Sequence, residues 1–221
     1  MAGKPVAPII QPDAIEAESF RIIDAEMGPH EFSVIEWPVV RRAIHSTADF
    51  ELGRSMIFHP RGVEAGVAAF RKGAHVVADV QMIQAGISAN YLGDFGGHVL
   101  CYMADLDVAA AARTEGTTRA IQCMRKAARE APGAIYAIGN APTALLELVR
   151  LVEDGEANPA LIIGVPVGFV SAAESKEQLR RQGLVPYITN RGRKGGTPVA
   201  VSITNALLRM ARGRAAEEQK A

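Results

Sequence analysis

Ala134-Ile135-Tyr136-Ala137-Ile138-Gly139-Asn140-Ala141-Pro142-Thr143-Ala144-Leu145 joins an unbroken apolar run, a glycine-bearing turn and the start of a helical pattern. The apolar residues do not alternate with polar ones, so the run predicts a strand buried on both faces, as in a parallel sheet. The same unit recurs along the chain. Strands are expected at His75–Val80, Val99–Met103, Ala134–Ile138, Leu161–Val165 and Val185–Thr189. Helical stretches are expected at Gly62–Lys72, Thr117–Glu130, Thr143–Glu153, Ala172–Gln182 and Pro198–Arg212. Strands alternating with helices predict an α/β fold, here a five-stranded, mainly parallel sheet with helices on both faces. Ahead of it, Ser19–Met27 and Ser33–His45 read as an N-terminal helical flank, the first stopped by Gly28-Pro29.

The 221 residues show no Pro/Gly/Ser-rich linker, so a single domain over 1–221 is expected, with 1–12 and 213–221 flexible. Lys and Arg together number 24, as do Asp and Glu, and they are spread along the chain. That balance removes the electrostatic case for nucleic acid or an anionic membrane surface as partner. The long uncharged run Ala160–Ala173 is broken by Pro166 and Gly168 and falls short of a bilayer span. Cys101 and Cys123 lack metal-site spacing, and the N-terminus lacks a signal-peptide core, which points to a reducing cytoplasm.

In open α/β sheets the ligand lies beyond the carboxyl ends of the strands. Four distinctive loops fall there: Gly139–Thr143, Pro166–Phe169, Ala172–Ser175 and Asn190–Thr197. Glycine lets backbone approach a ligand, and the helix that each loop opens offers free N–H groups to anions; ordinary tight turns are the plainer alternative. No strand is followed by G-x-G-x-x-G, Lys194 precedes its paired glycines rather than closing a Walker frame, and no G-x-S-x-G elbow occurs. A nucleotide-using oxidoreductase and a serine hydrolase are thereby disfavoured.

His45 is the best candidate for a proton donor. It sits where the helix Ser33–Ile44 gives out, and the partial negative charge of a helix C-terminus favours a protonated imidazole. His30, His59, His75 and His98 read as structural, Cys101 and Cys123 as buried small side chains, and Asp79 either as a cleft residue or as a cap on the following turn. Arg191, Arg193 and Lys194 are either solvated loop charge or a carboxylate-recognising run.

Several segments, in order, resemble the precorrin-8X methylmutase (precorrin isomerase) family of cobalamin biosynthesis. They include Glu18-Ser19-Phe20-Arg21-Ile22-Ile23, Arg42-Ala43-Ile44-His45 through Asp49-Phe50-Glu51, and Ala78-Asp79-Val80-Gln81-Met82-Ile83-Gln84-Ala85-Gly86-Ile87. Ile138-Gly139-Asn140-Ala141-Pro142-Thr143, Gly164-Val165-Pro166-Val167-Gly168-Phe169, Ala172-Ala173-Glu174-Ser175-Lys176-Glu177 and Gly192-Arg193-Lys194-Gly195-Gly196 continue the match. The segment Ser88–Asp107 departs from the family pattern.

The resemblance implies a flavodoxin-like fold, a homodimer and an isomerase that moves a methyl group between adjacent ring C carbons of precorrin-8X to give hydrogenobyrinate. It implies no external cofactor; no metal site is expected, because no pair of histidines has metal-site spacing. His45 takes the family's catalytic position, and Ser19, Arg42, Ser88 and Arg119 take its substrate-binding positions. A noncatalytic tetrapyrrole carrier is the alternative class, and cobalt-precorrin-8, the cobalt form of the anaerobic route, is the alternative substrate. A flat, mostly apolar macrocycle edged with carboxylates needs a broad cleft with scattered donors, which a protein of balanced charge can build.

Overall fold

Strands buried on both faces require a helical layer on each side, and the protein, described over residues 11–218 by a computed structural model, has that arrangement. It begins with α1 (Pro12–Met27), α2 (Trp37–Thr47) and the short α3 (Phe50–Arg54), which lead into β1 (Met56–Phe58). Then come α4 (Gly62–Arg71), β2 (Val76–Ala78), α5 (Gln81–Gly86), α6 (Ala89–Gly93) and β3 (Val99–Leu100). A 3-10 turn at Tyr102–Ala104 and α7 (Leu106–Glu115) follow. The remainder alternates: α8 (Arg119–Glu130), β4 (Ile135–Ile138), α9 (Pro142–Glu153), β5 (Leu161–Gly164), α10 (Ala172–Gln182), β6 (Tyr187–Asn190) and α11 (Thr197–Glu218).

The sheet has six strands in the order β1-β6-β5-β4-β2-β3, not the expected five. The additional strand, β1, pairs antiparallel with β6, Met56 opposite Asn190 and Phe58 opposite Ile188, while the other five are mutually parallel. Three residues directly ahead of His59-Pro60 carry too little periodicity to be read as a strand, and only β6 makes them one. The expected strand at Val99–Met103 also shortens, because the chain coils into the 3-10 turn after Leu100.

Successive strand residues go to opposite layers, as the two-residue period of a strand dictates. Val76, Ala78, Ile135, Ala137, Leu161, Ile163 and Ile188 pack with buried residues of α2, α4 and α11. Val77, Tyr136, Ile138, Ile162 and Tyr187 pack with those of α8, α9 and α10. Burying a Leu, Ile or Val side chain contributes about 1.5–3 kcal/mol, so both layers hold the sheet strongly. α11 is the organising element of the first layer: it lies along α2 and also contacts α4, α5 and α6. Its C-terminal end passes the expected Arg212 and reaches Glu218, and α1 begins at Pro12. Of the ends expected to be flexible, residues 1–10 and 219–221 lie outside the described residues. No described helix is long and apolar enough to cross a membrane.

Candidate active site

Two helices expected from sequence meet α6 to form the cleft that contains His45. α2 begins later and ends later than expected, so His45 lies within its last turn and not just past its end. Ala48 closes the helix in the left-handed conformation (φ 53°), its N–H donating to the Ile44 carbonyl at 2.7 Å. Ser46 and Thr47 donate to the Ala43 carbonyl at 3.0 and 2.9 Å, tying down the turn that carries the imidazole. Ala43 and Ile44 are buried beneath it, while the His45 side chain is exposed and meets the edge of Phe20, ring centres 5.4 Å apart.

His45, Arg42 and Ser46 form one wall of a cavity of about 560 Å³; Ser88, Asn90 and Tyr91 form a second. Pro198, Val201, Ser202, Asn205 and Arg209 form the third, a single stripe along α11. Asn205 fixes the junction of the last two walls: its carbonyl oxygen accepts from the Ser88 N–H at 2.9 Å and its amide donates to the Gly86 carbonyl at 3.0 Å. Ser88 caps α6, its hydroxyl accepting from the Tyr91 N–H at 3.4 Å. Arg42 makes a two-pronged pair with Glu16 at 2.9 and 3.1 Å, and this contact holds the Glu16 carboxyl below the usual carboxylate range.

Of the residues expected to contact substrate, Arg42 and Ser88 thus share the cleft with His45. Ser19 does not line it; its hydroxyl bonds back to the Ile15 carbonyl at 2.8 Å within α1, one residue from the Phe20 that meets His45. Arg119 stands exposed at the start of α8, in the layer on the other face of the sheet. Sequence reasoning missed Arg209, Asn205 and Ser202, although their spacing along α11 was a readable polar stripe.

The glycine loops are engaged by the protein itself. Asp79, at the end of β2, is fully buried and accepts from the N–H groups of Gly139, Asn140 and Ala141 at 3.2, 2.9 and 2.7 Å. It caps the loop after β4, so those donors are not open to a ligand. Burial pushes its carboxyl up, against the pull of these hydrogen bonds. Gly195 (φ 149°) runs so close to β5 that a Cβ there would strike the Val165 carbonyl oxygen, and Gly196 N–H donates to that carbonyl at 2.8 Å. Its glycine is needed for backbone-to-backbone approach and not for a ligand.

Lys194 is an ion-pair residue: its ammonium reaches Asp49 at 2.7 Å and Glu51 at 2.8 Å, and its hydrogen bond holds the Asp49 carboxyl low. The loop is anchored from inside by Lys176, a buried lysine of α10 that donates to the Asn190 side-chain oxygen at 3.2 Å and the Lys194 carbonyl at 2.7 Å. With no carboxylate against it, burial lowers the Lys176 ammonium to about 8.

The other histidines have structural partners. His30 stacks on Trp37 at 4.1 Å, His59 accepts from the Arg61 N–H at 3.1 Å, and His75 accepts from the His98 N–H at 3.1 Å. Burial pushes both thiols up, that of Cys123 to about 12, away from nucleophilic use. Among the described residues no cluster of His, Cys, Asp and Glu is arranged to hold a metal ion.

Comparison with known proteins supplies a family. The family model for precorrin-8X methylmutase matches residues 14–210. A cobalt-precorrin-8 methylmutase of Priestia megaterium is 56% identical over 90% of this chain and 88% of its own length. A precorrin-8X methylmutase of Sinorhizobium sp. is 37% identical over 89% and 94%. The crystal structure of the precorrin-8x methyl mutase from Thermus thermophilus superposes with a TM-score of 0.83 at 45% identity, covering 91% of this chain and 98% of that one.

Proposed function

The chain belongs to the precorrin-8X methylmutase family, isomerases of cobalamin biosynthesis, and from that premise we propose that the cleft between α2, α6 and α11 is where it moves a methyl group on the corrin precursor. One observation carries the reading: His45 opens from an anchored helix turn into a cavity of about 560 Å³ that it shares with Arg42, Ser88 and Arg209. The substrate is precorrin-8X or its cobalt form, and the product of the metal-free substrate is hydrogenobyrinate. The cobalt form is favoured by the higher identity to the relative that bears its name.

The chemistry is an isomerisation. The bond from the methyl carbon to one ring C carbon breaks, the bond to its neighbour forms, and a proton lent by His45 to the conjugated system is returned at the end. Nothing external is consumed, so the reading includes no cofactor. A well-placed general acid contributes about 10²–10⁴-fold. Arg42 and Ser88 orient the macrocycle through its periphery, with Arg119 and Ser19 placed further out.

The order of the five parallel strands, 2-1-3-4-5 counted among themselves, supports the flavodoxin-like assignment. Two apolar layers about one sheet support a single domain. We further take the protein as a homodimer. Arg119 lies in the layer opposite His45, so a partner subunit is the simplest way to bring it to the same macrocycle. Exposed Met82, Leu106, Phe169 and Val170, on segments following the carboxyl ends of parallel strands, supply apolar surface for that contact or for the ligand. Unpaired cysteines fit a cytoplasmic location, and balanced charge argues against a nucleic-acid partner.

The test is His45→Asn. Conversion of the precursor, followed by the change in its visible absorption, is expected to fall at least about 100-fold, while affinity for the methyl-shifted product stays within a few-fold. Conversion at the parent rate would remove His45 from the chemistry, and product binding without any conversion by the parent protein would favour a carrier.

A further inference from the structure

Arg209, on the α11 wall of the cleft, faces Glu16, whose Oε2 lies 4.0 Å from its guanidinium, beyond hydrogen-bonding distance. Both oxygens of that carboxylate already accept from Arg42. The neighbouring Arg212 is engaged as well, holding Asp94 at 3.0 Å. Around this end of the cleft three guanidinium groups therefore face two carboxylates, and the unmatched charge rests on Arg209. Its side chain is 46% exposed, against 20% for Arg42, so its donors are the ones an incoming ligand meets.

We propose that Arg209 is the seat of a peripheral carboxylate of the corrinoid, and that Glu16, by neutralising Arg42 beside it, leaves Arg209 as the unmatched cation for that carboxylate while Arg42 keeps its place against the macrocycle's rim. The proposal rests on the functional reading above and adds a specificity-determining residue to it. The geometry along α11 supports the placement: Pro198 and Arg209 mark the two ends of the stripe, roughly 16 Å apart on a helix rising 1.5 Å per residue. A broad, flat ligand lying along that stripe presents its rim, where its carboxylates are, to Arg209. The guanidinium approaches the Tyr91 ring at 5.5 Å, which limits its swing and favours a two-pronged contact.

The experiment measures affinity for two probes, the methyl-shifted product and the same product with its side-chain carboxylates converted to amides. Arg209→Met and Arg209→Gln are compared with the charge-preserving Arg209→Lys, each checked for folding by circular dichroism. The neutral variants should bind the carboxylate form about ten- to a hundredfold more weakly than the parent. Arg209→Lys should recover most of that loss, and all variants should bind the amide form as the parent does. Equal losses on both probes would assign Arg209 to packing over Tyr91 and overturn the proposal, as would unchanged affinity for the carboxylate form. A parent protein that binds neither probe and converts no precursor would overturn the functional reading itself, a different result from the other two.

Discussion

Replacing Lys176 by methionine is expected to change how stability depends on pH more than it changes stability at neutrality. In the folded protein the ammonium is lowered to about 8 by burial, against 10.5 for an ordinary lysine. The folded chain therefore gives up this proton more readily than the unfolded chain, and stability attributable to Lys176 rises with pH between those two values. Integrated over the whole interval the difference is about 3 kcal/mol; between pH 7 and pH 9.5 it is about 2 kcal/mol. A methionine side chain does not titrate, so the parent should gain that amount relative to Lys176→Met over the same range. Urea unfolding of both proteins at half-unit pH steps measures it, and the raised thiols and tyrosines, common to both, cancel in the difference. Curves that run parallel within about 0.5 kcal/mol would refute the claim that Lys176 is a strained buried cation. Near pH 7 the net cost of the substitution should be small, because the amide of Asn190 also donates to the Lys194 carbonyl at 2.9 Å and keeps that acceptor satisfied.

Gly195→Ala should destabilise the fold by about 3 kcal/mol in the same assay, since it combines left-handed strain with a collision against the Val165 carbonyl; an effect under about 1 kcal/mol would show that the loop yields. Asp79→Asn leaves one oxygen to serve three N–H groups and should cost about 1.5–3 kcal/mol, with amide exchange at Gly139, Asn140 and Ala141 accelerating more than elsewhere; uniform exchange would contradict its capping role. Mixing a His45→Ala chain with an Arg119→Ala chain should restore turnover in hybrid dimers, and full activity of a sedimentation-verified monomer would refute the shared site.

The parallel strands were legible because residues such as Ile135, Ala137, Ile162 and Ile163 are apolar on both faces, a property that composition displays directly. β1 was not, because its strand character comes from β6, far away in the chain. His45 could be proposed from its place at a helix end and from family resemblance, yet the side chains around it could not be read. Glu16 meets Arg42 across 26 positions, and Asp79 meets the loop after β4 across about sixty, contacts that no local pattern encodes. The polar stripe of α11 was in the sequence as Ser202, Asn205 and Arg209, hidden by the strong apolar signal of Val199, Ile203, Leu207 and Leu208 beside it. The glycine loops misdirected for a physical reason: close approach to backbone and close approach to a ligand ask for the same residue.

Both borders of the sheet are short strands, three residues of β1 on one side and two residues of β3 on the other. A border so brief offers another chain almost no row of unpaired N–H and C=O groups to zip onto, which guards the molecule against strand addition and runaway stacking. Any lasting association between copies must therefore be written in side chains, through helices and loops that can be altered one residue at a time. Contact between copies, if built on such surfaces, is then separable from strand-edge addition: a substitution on a helix or loop changes the first and leaves the sheet borders as they are.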